Sequence, residues 1–157
     1  MNIFILDPDP AIAAVSQCDK HIVKMPLETA QMLCTALSGY VEETRYRPTH
    51  RNHPCTLWAG QSRANFMWLV QHGYALSSEY TRRYGRRHKS EDVIDWAHGH
   101  RHLIPIAGGQ TDFVQAMPDE YRGDCAISAY RAYYIGEKSS IAAWKISSAT
   151  PDWWPVA

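Results

Sequence analysis

His21 and Glu28 stand seven residues apart in the stretch CDKHIVKMPLE, Cys18 to Glu28. On a helix that spacing sets both on one stripe, with Met25 between them. Lys24, four residues before Glu28, and Gln31, three after it, border the same face. A carboxylate beside a histidine can move protons or steady a developing cation. The plain alternative is the charged edge of an amphipathic helix, which the same spacing would also produce. Pro26 bears on the choice, because a proline inside a helix costs about 3 kcal/mol through a lost hydrogen bond and a clash with the preceding turn. Such a cost is tolerated where a kink aims a side chain, so a bend just before Glu28 is expected.

Two other groups of residues invite chemistry. The string THRNHPC offers His50, His53 and Cys55, with Cys18, Cys34 or the His98, His100, His102 run as a further source of ligands. Its spacing fits no common structural zinc signature, and no metal or cofactor is expected. The stretch RRYGRRHK places Arg82, Arg83, Arg86, Arg87 and Lys89 within eight residues. It is either a phosphate-contacting patch or the solvated C-terminal end of a helix, where cations suit the dipole. No phosphate-binding loop, nucleophile elbow, zincin motif or dinucleotide fingerprint is present, which removes most of the case for phosphoryl or hydride transfer.

The elements that must position these residues are helices. Asp9 and Pro10 read as an N-cap and first helical residue of a short helix reaching about Gln17. Met1 to Leu6 reads as a short strand or an extended lead-in. Ile22, Val23, Leu27, Ala30, Leu33, Cys34 and Leu37 recur at spacings of three and four, predicting a helix from Asp19 to about Ser38. Residues 42–56 read as a loop, and one long helix is expected from Thr56 to Tyr84. A shorter helix begins at Ser90, and a last one covers Ala126 to Ile146. Between them lies a long connector containing PDEYRGD, in which Arg122 is expected to pair with Glu120 and Asp124. The expected fold is mostly α, a single compact helical domain over 1–157 with an extended N-terminal segment.

Composition narrows the setting. The net charge is zero, which argues against tight non-specific DNA binding through counterion release. The first residues, MNIFILDPDP, lack the basic start and long apolar run of a signal peptide, and no stretch is apolar enough to span a membrane. The expected location is cytoplasmic, that of the host cell for a phage-encoded chain. Four widely spaced cysteines are read as buried or structural free thiols. Six tryptophans and nine tyrosines supply either core or base-stacking surface.

Taken together, NIFIL, DKHIVKMPLE, NFMWLVQHGYALSSEYTRRYG, PDEYRGD and the closing PDWW resemble the pyrimidine-dimer DNA glycosylase family, the small phage endonuclease V type. Asp19, His21 and Glu28 match the family's Asp-x-His motif and catalytic Glu, and PDEYRGD matches at Pro118, Glu120, Tyr121, Arg122, Gly123 and Asp124. The resemblance implies an all-α fold whose N-terminal segment threads between helices. It implies glycosylase and abasic-site lyase chemistry in which an α-amine attacks the sugar C1′ and forms a Schiff base. An α-amine titrates near about 7.7–8.0, against about 10.4 for lysine, so more of it is neutral. Asn2 is a poor context for methionine removal, which leaves the amine on Met1. The sequence departs from the family in extra residues before Asp19, and in Leu27 and Gln31 standing where the family has DNA-contacting arginines. The residues expected to carry catalysis are Met1, Glu28 and His21, with Lys20 or Lys24 as substitute amines. Lys24, Gln31, Arg82, Arg83, Arg86, Arg87, Arg122 and Lys145 are expected to contact substrate or DNA, and Trp58, Trp68 or Tyr46 to stack on it. The expected partner is double-stranded DNA or a nucleotide. The second reading is a non-catalytic nucleotide- or nucleic-acid-binding protein on the same scaffold, and a third is an interaction protein with a vestigial pocket.

Overall fold

Asp9 opens the first helix by accepting from the amides of Ala11 at 2.7 Å and Ile12 at 3.2 Å, with Pro10 where a missing amide costs nothing. The computed structural model of the chain describes residues 1–155. They form α1 (Pro10–Val15), α2 (Asp19–Leu37), α3 (Pro54–Gln61), α4 (Arg63–Tyr84), α5 (Glu91–Gly99) and α6 (Ala126–Lys138), with short 3₁₀ turns and no strand among the described residues. The compact all-α fold is the one expected. No helix among them is long and apolar enough to cross a membrane.

Residues 1–9 run extended and join no ladder, so the lead-in is not a strand. Ile3, Ile5 and Leu6 are fully buried, each contributing about 1.5–3 kcal/mol of apolar burial. Side chains from the surrounding helices hold the backbone in place. Gln17 Nε2 donates to the Ile3 carbonyl at 3.1 Å, and Trp68 Nε1 to that of Pro8 at 2.8 Å. His72 Nδ1 bonds the Pro10 carbonyl at 2.9 Å. The N-terminal segment therefore lies against α4 as an inner element of the core.

Three expected boundaries are corrected. The long helix from Thr56 is two helices, because Ser62 takes an extended conformation (φ −148°, ψ 155°). Its hydroxyl oxygen caps α4 by accepting from the Asn65 amide at 3.1 Å, a task serine performs better than helix propagation. The loop ends at His53, where α3 begins on Pro54. The last helix stops at Lys138, and the chain turns back to α2. There the Asp19 amide donates to Ala143 O at 2.8 Å, and the Asp19 carboxylate accepts from the Lys145 amide at 2.7 Å.

Helix α2 continues without interruption through Pro26, which is buried and leaves the Ile22 carbonyl without its helical donor. Two of its periodic apolar residues, Val23 and Leu27, are exposed. Gly73 lets α4 cross α2 and α5 closely, since a Cβ there would meet Thr29 and Ile94 at 2.9 Å. Trp58 and Trp68 are core residues, 2% and 5% exposed, and present no stacking face. Their indole N–H groups are used inside, on Asp112 O and Pro8 O.

Candidate active site

Glu28 is buried on α2 and faces the beginning of the chain. The Asn2 amide donates to its Oε2 at 3.0 Å, and the Met1 amine lies 3.9 Å from the same oxygen. Its other oxygen, Oε1, takes Lys24 Nζ at 3.0 Å from the preceding turn. The extra residues before Asp19 do not keep the amine away, because they form α1 and fold back. The terminus is held by Asn2 itself. Its Oδ1 accepts from the amides of Ile3 at 2.8 Å and Phe4 at 3.1 Å, while Nδ2 donates to Ala116 O at 2.7 Å. This hook places Phe4 at φ 55°, strained for an aromatic residue, and stacks it on His21 with centroids 4.5 Å apart.

His21 is neutral and oriented. Burial first, then the charges of Lys138 and Lys24, lower its pKa to about 4 against an opposing pull from Glu28. The Tyr134 hydroxyl lies 2.7 Å from Nδ1 and accepts from the Cys18 amide at 3.0 Å. Burial keeps Tyr134 protonated, so its proton goes to Nδ1 and the remaining imidazole N–H is on Nε2. Met1, Asn2, Phe4, His21, Lys24, Met25, Glu28, Tyr133 and Lys138 enclose a cavity of about 180 Å³. Lys138, from the end of α6, sits 5.1 Å from the Tyr133 ring centroid and 6.0 Å from that of Phe4.

Lys138 and Tyr133 were not among the sequence candidates, and nothing in their local sequence signals a place more than a hundred residues away. PDEYRGD explains how α6 is held. The Tyr121 ring fills the space a Cβ would need at Gly136, and its hydroxyl donates to Glu137 Oε1 at 3.0 Å. Arg122 pairs with Asp119 at 2.8 Å and donates to Met117 O at 3.0 Å, so the lock uses Asp119 and not Glu120 or Asp124. His53 was read as a metal candidate. It caps α3, its Nδ1 accepting from the Cys55 amide at 3.2 Å. Burial, then the nearby α-ammonium, lower its pKa, and a hydrogen bond to the Met1 backbone opposes them. Cys55 faces the core, where burial pushes its thiol up to about 12. Among the described residues no three His, Cys, Asp or Glu side chains converge.

The basic stretch is placed elsewhere. Arg83 is fully buried, bonding Glu79 at 2.6 Å, Asp19 at 2.9 Å and the carbonyls of Val15 and Gln17. Arg82 pairs with Glu79, and Arg87 with Glu91, Asp92 and Asp95. Arg86 bonds the Tyr80 hydroxyl at 2.9 Å. Lys145 Nζ lies 5.2 Å from the Tyr84 ring centroid, beside Asp19 and about 13 Å of helix rise from Glu28. Lys20 is exposed outside the cavity. Gln31, half-buried one turn beyond Glu28, lies on the same face of α2. Of the candidates, then, Met1, His21, Lys24 and Glu28 come together, Gln31 borders them, and Arg82, Arg83, Arg86, Arg87, Arg122 and Lys145 do not line this cavity.

A terminal amine facing a buried carboxylate is the arrangement the resemblance implied. The family model of the pyrimidine dimer DNA glycosylase matches residues 1–92, of a chain of 157. The chain belongs to the pyrimidine dimer DNA glycosylase family. The family is one of base-excision repair glycosylases that also cleave at abasic sites, and its substrate is DNA. No curated protein and no solved structure matches the chain. The matched part holds the amine, His21, Lys24 and Glu28, while PDEYRGD, Lys138 and the aromatic tail lie beyond it.

Proposed function

We propose that this chain removes a damaged pyrimidine from double-stranded DNA and nicks the abasic site through its α-amine and Glu28. The observation that carries the reading is the amine at 3.9 Å and the next backbone nitrogen at 3.0 Å from one buried carboxylate oxygen. The amine lone pair forms a bond to C1′ as the C1′–base bond breaks, and the base departs with the bonding electrons. Glu28 takes the proton the nitrogen sheds and steadies the cationic sugar. The C1′–O4′ bond then opens, its electrons leaving on the ring oxygen, which takes the proton back from Glu28, and the nitrogen lone pair forms the iminium. The iminium acidifies C2′, loss of that proton expels the 3′ phosphate, and water then frees the amine. Nothing in these steps calls for a metal or cofactor.

The other residues serve that exchange. Neutral His21 is a hydrogen-bond donor through Nε2, suited to orient a sugar oxygen but not to accept a proton there. Lys24 and Lys138 put two cations at the cavity, favouring a phosphate beside the extruded nucleotide. Removal of Met1 would convert the Asn2 nitrogen into the amine at the 3.0 Å position, so either terminus meets Glu28.

Borohydride trapping tests this on ultraviolet-irradiated duplex and on duplex with one abasic site. A covalent adduct with both, lost after acetylation of the α-amine, is expected. No adduct with either would sink the enzyme reading and leave a nucleotide-binding protein, which a thermal-shift screen of free nucleotides would then detect.

A further inference from the structure

Next to the Glu28 cavity lies a larger depression of about 490 Å³, lined by Leu27, Gln31, Tyr46, Arg47, Pro48 and Thr49. Lys24, Leu27, Glu28 and Gln31 occupy positions i, i+3, i+4 and i+7 of α2, so cavity and depression share one face of that helix. The outer wall is the α2–α3 loop, and it is fastened at several points. The Thr49 amide donates to Thr35 Oγ1 at 3.0 Å, and the Tyr46 amide to Cys34 Sγ at 3.5 Å, both on α2. The Tyr46 hydroxyl meets Ser90 Oγ at 3.1 Å, at the start of α5.

Arg47 stands between those anchors, exposed, with its backbone biased to an extended form by Pro48. Arg82, Arg83 and Arg87 each have a carboxylate within ion-pair distance, whereas Arg47 has none among the described residues. A rigid loop thus presents an uncommitted guanidinium to a polar hollow one helical turn from Glu28. Its planar fork matches phosphate oxygens in pairs, and Gln31 adds neutral donors to the same hollow.

We propose that this depression seats a backbone phosphate of the DNA strand whose damaged nucleotide enters the Glu28 cavity, with Arg47 as the main contact. The inference rests on the glycosylase reading and adds a direction to it. The strand runs along α2, with Lys24 and Lys138 on one side of the extruded nucleotide and Arg47 on the other. The rise from Lys24 to Gln31 is about 10 Å, room for one nucleotide between two phosphate contacts.

Binding of the full chain to duplex containing a tetrahydrofuran abasic analogue, measured across a salt series, tests it. Arg47→Gln should weaken binding about 5–10-fold at 0.1 M salt and make the slope of log affinity against log salt shallower by about one. Its melting temperature should stay that of the unaltered chain, and Arg87→Gln should leave the slope alone. Binding by Arg47→Gln with unaltered affinity and slope would overturn the proposal while leaving the glycosylase reading in place. No binding by the unaltered chain would bring down both.

Discussion

The C-terminal end of α4 and the Glu28 cavity hold opposite kinds of positive charge. The first is dense, with Arg82, Arg83, Arg86 and Arg87 inside six residues, yet three of the four are neutralised by Glu79, Asp19, Glu91, Asp92 and Asp95. The second is sparse along the chain and dense in space. The α-amine, Lys24 and Lys138 come from three segments and line one cavity, where the first two lie 3.9 and 3.0 Å from the Glu28 carboxylate. Charge counted along a sequence is therefore a poor guide to charge a ligand can meet. What decides is whether acids stand within one or two helical turns or across a helix contact.

The comparison breaks first, if it breaks, at Glu28. Glu28→Gln should lower single-turnover excision and nicking about 10²–10⁴-fold while binding abasic DNA nearly as before. A rate within tenfold of the unaltered enzyme would place the chemistry outside this cavity.

Arg83→Met should cost about 3–5 kcal/mol in urea unfolding, because it strands Glu79 and Asp19 without their buried partner. Unchanged stability with weakened DNA binding would turn the contrast around and make Arg83 a ligand contact.

Acid sharpens the same point. Burial is the leading cause that lowers the pKa of both His21 and His72 to about 4 in the folded chain, against 6.5 for an ordinary histidine. Each is neutral in the native state, so below 6.5 the unfolded chain binds protons that the folded chain refuses. Stability present above pH 6.5 should fall steadily toward pH 4, by on the order of 2–3 kcal/mol per histidine. His21→Gln, followed by urea melts at pH 7 and pH 4.5, should flatten part of that slope. The smallest effect belongs to Arg87→Gln, expected to change stability by less than about 1 kcal/mol, since its ion pairs are solvent-exposed.

Local features were legible and long-range ones were not. Asp9–Pro10 and the stripe carrying His21, Lys24 and Glu28 followed from spacing. The pairs Glu79–Arg83 and Arg87–Glu91 are also at i, i+4, a signal present in the basic stretch but masked by its density. Ser62 could have been read as a cap, whereas the apolar run around it suggests continuity. Asp19 looked like part of the site by its motif, yet it ties α2 to Arg83 and the Lys145 backbone. Lys138, Tyr133 and Phe4 reach the cavity only through tertiary packing, with Tyr121 seated on Gly136, and no local pattern encodes that.

The central claim is that the amine at the start of the chain, held against Glu28 by the Asn2 hook, forms the covalent bond to the sugar. Digestion of the borohydride-trapped abasic-DNA adduct, followed by peptide mass spectrometry, tests it most directly. The account predicts the sugar remnant on the amine of the N-terminal peptide. A remnant on the peptides carrying Lys24 or Lys138 would contradict it.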